Sequence, residues 1–429
     1  MQADWLSVAA AHEIILGAAD PLPAERRPLL DCLGHVLATG IRAPLDLPRW
    51  DNSAMDGFAA RAEDVHGASE TSPRELRVVD DVPAGSFPAR PIGRGEASRV
   101  MTGAPVPEGA DSVIRLEHTD GATGIGTPRG RVQVRSDADA GRNIRLCGED
   151  VRTGDLVLRP GIVLRAGELG VAASLGQADL RVVRRPRVAI LTSGDELVDL
   201  DEFEQVLAGH RIVSSNSYSL SAQLREAGAE VKNLGIARDD PRSVRRLLEG
   251  ARGCDVLITS AGVSVGEHDY MRHVLQEMGL EAAFWRVRMK PGSPVAFGRV
   301  KALGAIPWFG LPGNPVSSVV TFEVLVRPAL LRMAGRSAVF HPTTQVRLSG
   351  EYPARPGLTH FLRARLDSES ADRTTATLAG SQGSGILTSF VEADALVVVP
   401  KTAPGAADGD ILSAILLGGS PLHKVAGYP

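Results

Sequence analysis

Three glycine-rich segments follow apolar runs: Ser193-Gly194 after Arg187–Leu191, Gly262–Gly266 after Asp255–Thr259, and Gly310-Leu-Pro-Gly313-Asn314 after Ala305–Phe309. Glycine lets backbone N–H groups approach an anion closely, and a helix starting just beyond adds the positive end of its dipole. One such loop is weak evidence, because structural turns outnumber phosphate sites. Three on the strand ends of one α/β sheet favour a phosphate-bearing ligand, since such loops gather at the switch point. Carboxylates share that edge: Asp195, Glu196, Asp239, Asp240, Glu267 and Asp269. Oxygen ligands of this kind suit Mg2+, which bridges a few carboxylates and substrate phosphates. The plainer reading of each acid is a helix cap. Asp195 and Asp240 fit it well, whereas Asp269 directly follows a glycine loop. Strings for other chemistry are missing. There is no GxxxxGK[ST], no GxSxG, and no dinucleotide fingerprint after a strand. The residues alone describe an α/β domain that binds a phosphorylated small molecule with Mg2+.

The elements that must position these loops follow from periodicity. Strands at 187–191, 231–236, 255–259, 284–287, 295–297 and 305–309 alternate with helices at 219–227, 242–249 and 270–278, which predicts a doubly wound, largely parallel sheet. A long apolar helix follows Ser317. Before this region, residues 1–40 read as helical, with Asp4 as N-cap and a second apolar stretch at Leu29–Leu37. Residues 44–150 carry short alternating runs, Leu76–Val79, Asp111–Leu116 and Val132–Val134, which suit a β-rich region. Gly124-Ile-Gly126 nearly matches a dinucleotide fingerprint but has no apolar strand before it, so Asp120–Gly130 reads as a surface loop. Five strands after residue 340, at 345–348, 360–366, 375–378, 395–399 and 411–416, predict a small β-barrel or sandwich.

Composition bounds the rest. At 429 residues the chain is long for one core, and several domains are expected. A net charge of −4 argues against nucleic acid as a partner. No apolar run approaches the roughly 18–20 residues that span a bilayer, and Met1–Ala11 lacks a basic n-region, so a cytoplasmic protein is expected. Cys32, Cys147 and Cys254 form no CxxC pair and read as small buried hydrophobes. Only five lysines occur, so Lys290, beside Pro291-Gly292, stands out as a functional candidate.

Seven strings then become specific: DNSAMDG at 51–57, MTGAPVP at 101–107, GRNIRLCGED at 141–150, TSGDEL at 192–197, SVGEHD at 264–269, LPGNPVS at 311–317 and SQGS at 381–384. In type and order they closely resemble the MoeA/gephyrin E-domain family, over nearly the whole chain. The resemblance implies an α/β multidomain fold: a mixed domain (1–44 with 151–184), a β-rich domain (45–150), a MoCF-type doubly wound α/β domain (185–335) and a C-terminal β-barrel (336–429). It further implies a homodimer whose cleft takes adenylylated molybdopterin and molybdate, hydrolyses the adenylate, and releases molybdenum cofactor and AMP. A pterin adenylyltransferase, which needs only the α/β domain, and a non-catalytic gephyrin-like scaffold are the alternatives.

Roles carry over residue by residue. Glu196, Asp269 and Asp239 match acids that would hold Mg2+ or orient water. Asp56 and Asp150 would face the cleft from the partner subunit. Thr102 offers a hydroxyl and Gly103 an N–H for an oxyanion. Lys290, Arg286, Arg145 and Arg363 would hold phosphate or molybdate, with Ser384 as a further donor. Ser193, Gly194, Gly262, Gly266, Gly313 and Asn314 would line the pterin site. The chain departs from the family at Ser293, where many members read PGKP. That removes one cation beside the phosphate. Molybdate and tungstate are too alike in size and charge for the sequence to separate them.

Overall fold

The computed structural model describes residues 5–120, 130–261, 270–370 and 373–418. The chain divides into two compact units, the larger comprising Met1–Ala38, Gly161–Arg165 and Asp179–Pro429, the smaller Thr39–Pro160 and Ala166–Ala178. No helix among the described residues is long and apolar enough to cross a membrane.

The larger unit is built on a six-stranded sheet in the order Glu230–Ala237, Arg187–Ser193, Val256–Ser260, Ile306–Leu311, Ala296–Val300, Leu280–Phe284. The first four strands are mutually parallel, and Ala296–Val300 runs against both of its neighbours. Alternate side chains enter two cores, as a period of two requires. Val188, Ile190, Val256 and Ile258 meet Leu220, Leu224, Val316 and Val320 on one face. Ala189, Leu191, Leu257 and Trp308 meet Val244, Leu248, Val274 and Leu275 on the other. Burial on both faces is why these strands read as unbroken apolar runs. The long apolar helix is present, with a π-helical turn at Phe322–Val326 between α-helical Pro315–Thr321 and Arg327–Met333.

Five strands after residue 340 close into a barrel: Thr359–Ser370, Arg373–Leu378, Thr343–Ser349, Ile411–Leu416, Ala395–Val399 and back to Thr359–Ser370. The short strand Met289–Lys290 runs parallel to the start of Thr359–Ser370, pairing Lys290 with His360.

The N-terminus departs from expectation. Its helix spans Val8–Gly17, and Ser7, not Asp4, caps it by accepting the Ala10 N–H at 3.1 Å. Leu6 instead pairs with Val287 as a β-bridge, and Asp4 lies outside the described residues. The helix expected at 29–37 is replaced by a 3-10 turn, Leu29–Cys32, between two strands, Ala24–Pro28 and Val36–Leu37, that flank Asp179–Val183. Pro21, Pro23 and Pro28 supply no amide hydrogen for helical pairing, which favours the extended alternative.

The smaller unit carries a five-stranded sheet ordered Ser112–Arg115, Gly57–Ala60, Glu96–Val100, Arg74–Val82, Gly130–Val134. Gly57, the last residue of DNSAMDG, is forced by packing: a Cβ there would lie 2.0 Å from the Ile114 carbonyl oxygen. Cys32 and Cys254 are buried as expected, whereas Cys147 is exposed. Residues 121–129 of the glycine-rich loop lie outside the described residues.

Candidate active site

At the carboxyl ends of the parallel strands is a cavity of about 230 Å3, walled by Ser193, Glu196, Asn216, Ser260, Gly313 and Asn314 among others. Three adjacent strands end there, Arg187–Ser193, Val256–Ser260 and Ile306–Leu311, as the switch-point argument requires. Gly194 adopts φ +150° and leaves room for the Glu196 side chain to fold back over it. A Cβ at Gly194 would sit 2.8 Å from both carboxylate oxygens. Glu196 is exposed and its carboxylate has no hydrogen-bond partner among the described residues. Ala261, also in the wall, holds φ +73°. That conformation costs a non-glycine residue about 1 kcal/mol, and such strain gathers at functional sites.

Two polar groups that the sequence reading missed hold this cavity together. Asn216, buried at the start of the helix Ser215–Glu226, donates to Ser260 Oγ at 2.7 Å and to the Gly313 carbonyl at 2.8 Å. One amide thus ties two of the three loops. Behind it Thr192, Ser214 and Ser217 form a buried hydroxyl cluster, with contacts of 2.8–3.3 Å. The polar run Ser214-Ser-Asn-Ser217 was the available signal, but polar residues before a helix ordinarily mark an exposed cap.

The neighbouring acids divide. Asp240 does cap the helix Pro241–Leu248, accepting from Arg242 and Ser243 N–H at 2.9 Å each. Asp195 caps no helix. It accepts the Asp239 N–H, and Asp239 accepts the Asp195 N–H, both at 3.2 Å, so the two loops clasp each other. Gly262, Gly266, Glu267 and Asp269 lie outside the described residues.

The helix that starts at Pro315 collects more of the candidates. Its Val316 N–H donates to the Ser384 carbonyl at 3.1 Å, which docks the SQGS loop beside the cavity wall. Arg363 shapes that loop from within the barrel. Its guanidinium donates to the carbonyls of Ser381 (3.0 Å), Gln382 (3.3 Å) and Gly383 (3.1 Å) and to Ser389 Oγ (3.0 Å). The residue is 0% exposed, and burial lowers its pKa to about 10. Sequence reasoning gave Arg363 to an oxyanion, but the structure spends its N–H groups on the loop that presents Ser384. Lys290 is exposed, with no side-chain partner among the described residues. Arg286 lies over the Trp5 ring, its guanidinium carbon 5.4 Å from the centroid. Ser293 donates its hydroxyl to the Met289 carbonyl.

In the smaller unit, the segment 51–57 is a hub for two other motifs. Ser53 exchanges backbone bonds with Gly103 and Ala104, and Asn52-Ser53 pairs antiparallel with Ile144-Arg145. The Asp51 carboxylate accepts the Cys147 N–H at 2.7 Å. Asp56 accepts the Thr102 N–H at 2.7 Å and the Thr102 hydroxyl at 2.8 Å. These bonds, the N–H foremost, hold the Asp56 carboxyl below its ordinary range. Thr102 and Gly103, expected to offer donors to an oxyanion, therefore have those donors engaged: Gly103 N–H goes to the Ser53 carbonyl at 2.8 Å. Asp150 and Arg145 are exposed and carry no side-chain bond among the described residues.

Comparison with known proteins covers nearly all of this architecture. Residues 6–176 match the family described as "MoeA N-terminal region (domain I and II)", residues 189–332 "Probable molybdopterin binding domain", and residues 345–417 "MoeA C-terminal region (domain IV)". "Molybdopterin molybdenumtransferase" of Staphylococcus aureus (strain Mu50 / ATCC 700699) is 34% identical over 414 residues, 96% of this chain and 95% of its own. "Molybdopterin molybdenumtransferase 2" of Mycobacterium tuberculosis (strain CDC 1551 / Oshkosh) is 37% identical over 382 residues, 87% and 90% of the two chains. The crystal structure of a molybdopterin biosynthesis moeA protein from Pyrococcus horikoshii OT3 superposes with a TM-score of 0.80 at 28% identity, covering 96% of this chain and 100% of that one. With two relatives above 30% identity spanning most of its length, the chain belongs to the molybdopterin molybdenumtransferase (MoeA) family.

Proposed function

We propose that this protein inserts molybdate into adenylylated molybdopterin and hydrolyses the pterin–AMP anhydride, releasing molybdenum cofactor and AMP. The observation that carries the reading is the cavity at Ser193, Glu196, Gly313 and Asn314, in a chain of this family. In it, backbone and amide groups of three strand-end loops would bind the pterin and its phosphate; Lys290, which is not part of the cavity wall, would attract the oxyanion. Arg363 would act by holding Ser384 in place, while Arg286 and Arg145 add positive charge. Mg2+ fits the donors present. Glu196 has a carboxylate without a partner among the described residues, Asp239 keeps lone pairs beyond the one it gives to the Asp195 N–H, and hard oxygens are what Mg2+ takes. Asp269 would join them. When bound, the ion would neutralise charge on the phosphoryl oxygens.

The reading includes a homodimer in which Asp56, Thr102 and Asp150 of one subunit serve the cleft of the other, and the four-domain division set out above. An adenylyltransferase would need only the α/β region, and the matches to N- and C-terminal MoeA regions speak for the transferase. The test is to supply adenylylated molybdopterin, Mg2+ and molybdate and to measure AMP and cofactor together. Synthesis of the adenylate from molybdopterin and ATP, with no molybdate-dependent AMP release, would overturn the proposal. Mixing Asp56→Ala and Glu196→Ala chains should restore part of the activity. A mixture as inactive as its parents, despite proven subunit exchange, would refute the shared cleft while leaving the reaction standing.

A further inference from the structure

A second cleft, of about 860 Å3, lies within the larger unit and shares no residue with the Ser193 cavity. Its polar wall is formed by Gln223, Glu323, Arg327 and Arg336, and its apolar wall includes Phe340 and Phe390. Glu323 is already committed. Its carboxylate accepts from Gln223 Nε2 at 2.6 Å, pairs with His341 Nε2 at 2.6 Å, and lies 3.6 Å from Arg327 Nε. Arg336 is not so served. It is half-buried, its guanidinium has no hydrogen bond or ion pair among the described residues, and Arg327 is the charge that acts on it. The acid Glu226 is exposed where it lines the cleft. Taking a guanidinium out of water without an anion is costly, and a carboxylate meeting its fork in two parallel bonds would offset that cost.

A further observation points to a ligand. Glu323 belongs to the π-helical turn, a departure from α geometry frequent at functional sites. The volume falls in the range of about 300–1,000 Å3 typical of small-molecule pockets, too large for a bare inorganic anion.

We propose that this cleft binds a small organic acid with an apolar body, its carboxylate on Arg336 beside Arg327 and its body against Phe340 and Phe390. The site is independent of the transferase reading. Calorimetry on the full-length protein with 4-phenylbutyrate, and with uncharged 4-phenylbutanol as its counterpart, tests it. The acid should bind saturably, and the alcohol about tenfold more weakly, the worth of one good charged contact. Arg336→Met should cost the acid about tenfold and leave the alcohol unchanged, whereas Arg336→Lys, which keeps charge but loses the fork, should fall between. Glu196→Gln, whose side chain lies at the first cavity, should bind the acid as the wild type does. Equal binding of acid and alcohol, an acid affinity unmoved in either Arg336 variant, or no saturable binding at about 10 mM would overturn the proposal.

Discussion

The hub at 51–57 in the smaller unit and the cavity at the sheet edge of the larger one both gather acids from distant motifs, yet they use them in opposite ways. In the hub, carboxylates do the structural work. Asp51 and Asp56 each accept a backbone N–H from another motif, so their charge is spent partly on fixing loops. In the cavity wall, that work falls to neutral groups, Asn216 and the hydroxyls of Thr192, Ser214 and Ser217, while Asp195 and Asp239 clasp their loops beside it. Glu196 is thereby left without a partner among the described residues. A carboxylate freed from structural duty can meet a metal or a proton at no cost to the fold. Engaged ones are preorganised but less available.

Substitution at Glu196 should break this contrast most visibly. Glu196→Gln is expected to slow AMP release by about a hundredfold, the scale of losing a preorganised electrostatic group, with an unchanged melting temperature. A large drop in melting temperature would show that Glu196 is structural after all. Asn216→Ala should do the reverse, lowering stability by about 1 kcal/mol because buried Ser260 Oγ loses the donor it accepts from and the tie to the Gly313 carbonyl is cut. It should also raise KM more than it lowers kcat. A neutral effect on stability by denaturant titration would remove Asn216 from its tying role.

On the hub side, the test is titration. Asp56 has its folded pKa depressed, so its contribution to stability is present above the unfolded value, 3.8, and is lost as pH falls through the folded one. Thr102→Val removes the hydroxyl and keeps the N–H, the larger cause, so the carboxyl should move only part of the way back toward 3.8. An Asp56 resonance that titrates identically in the two proteins would mean the hydroxyl does not act on it. The smallest effect is expected at Ser293→Lys. One added cation should tighten the adenylylated pterin by about 1 kcal/mol, while loss of the hydroxyl bond to Met289 costs a little stability. Unchanged binding by calorimetry would mean that another cation already fills that place.

Most of the frame was legible because it rests on short-range pattern. Buried parallel strands gave apolar runs, and Asp240-Pro241 announced its helix by cap and proline. Barrel strands showed alternation, and their closure came with the pairing of 359–370 and 395–399. The N-terminal strands were misread because apolar spacing at 29–37 mimics a helix when its pairing partner, 179–183, is some 150 residues away. In the candidate site, side-chain types were legible but their employment was not. Nothing local distinguishes an arginine that faces a ligand from Arg363, or a threonine that donates outward from Thr102. Asn216 was missed for the same reason, since its partners come from two other strands.

Arg363 also limits how this region can vary. Its cage is made of main-chain oxygens from three successive residues, Ser381, Gln382 and Gly383. Side-chain identity at Ser381 therefore has little bearing on the cation. A deletion of one residue anywhere in 381–383 would instead strip the guanidinium of a carbonyl and leave a charge unmet inside the barrel, a loss of about 3 kcal/mol or more. Composition can drift at Ser381, whereas Gln382, whose side-chain amide pairs with the Arg363 main chain at 2.9 and 3.1 Å, and the length of the loop cannot. Loop exchange between relatives should accordingly succeed only when donor and recipient loops count the same number of residues between the Gly380 turn and Ser384.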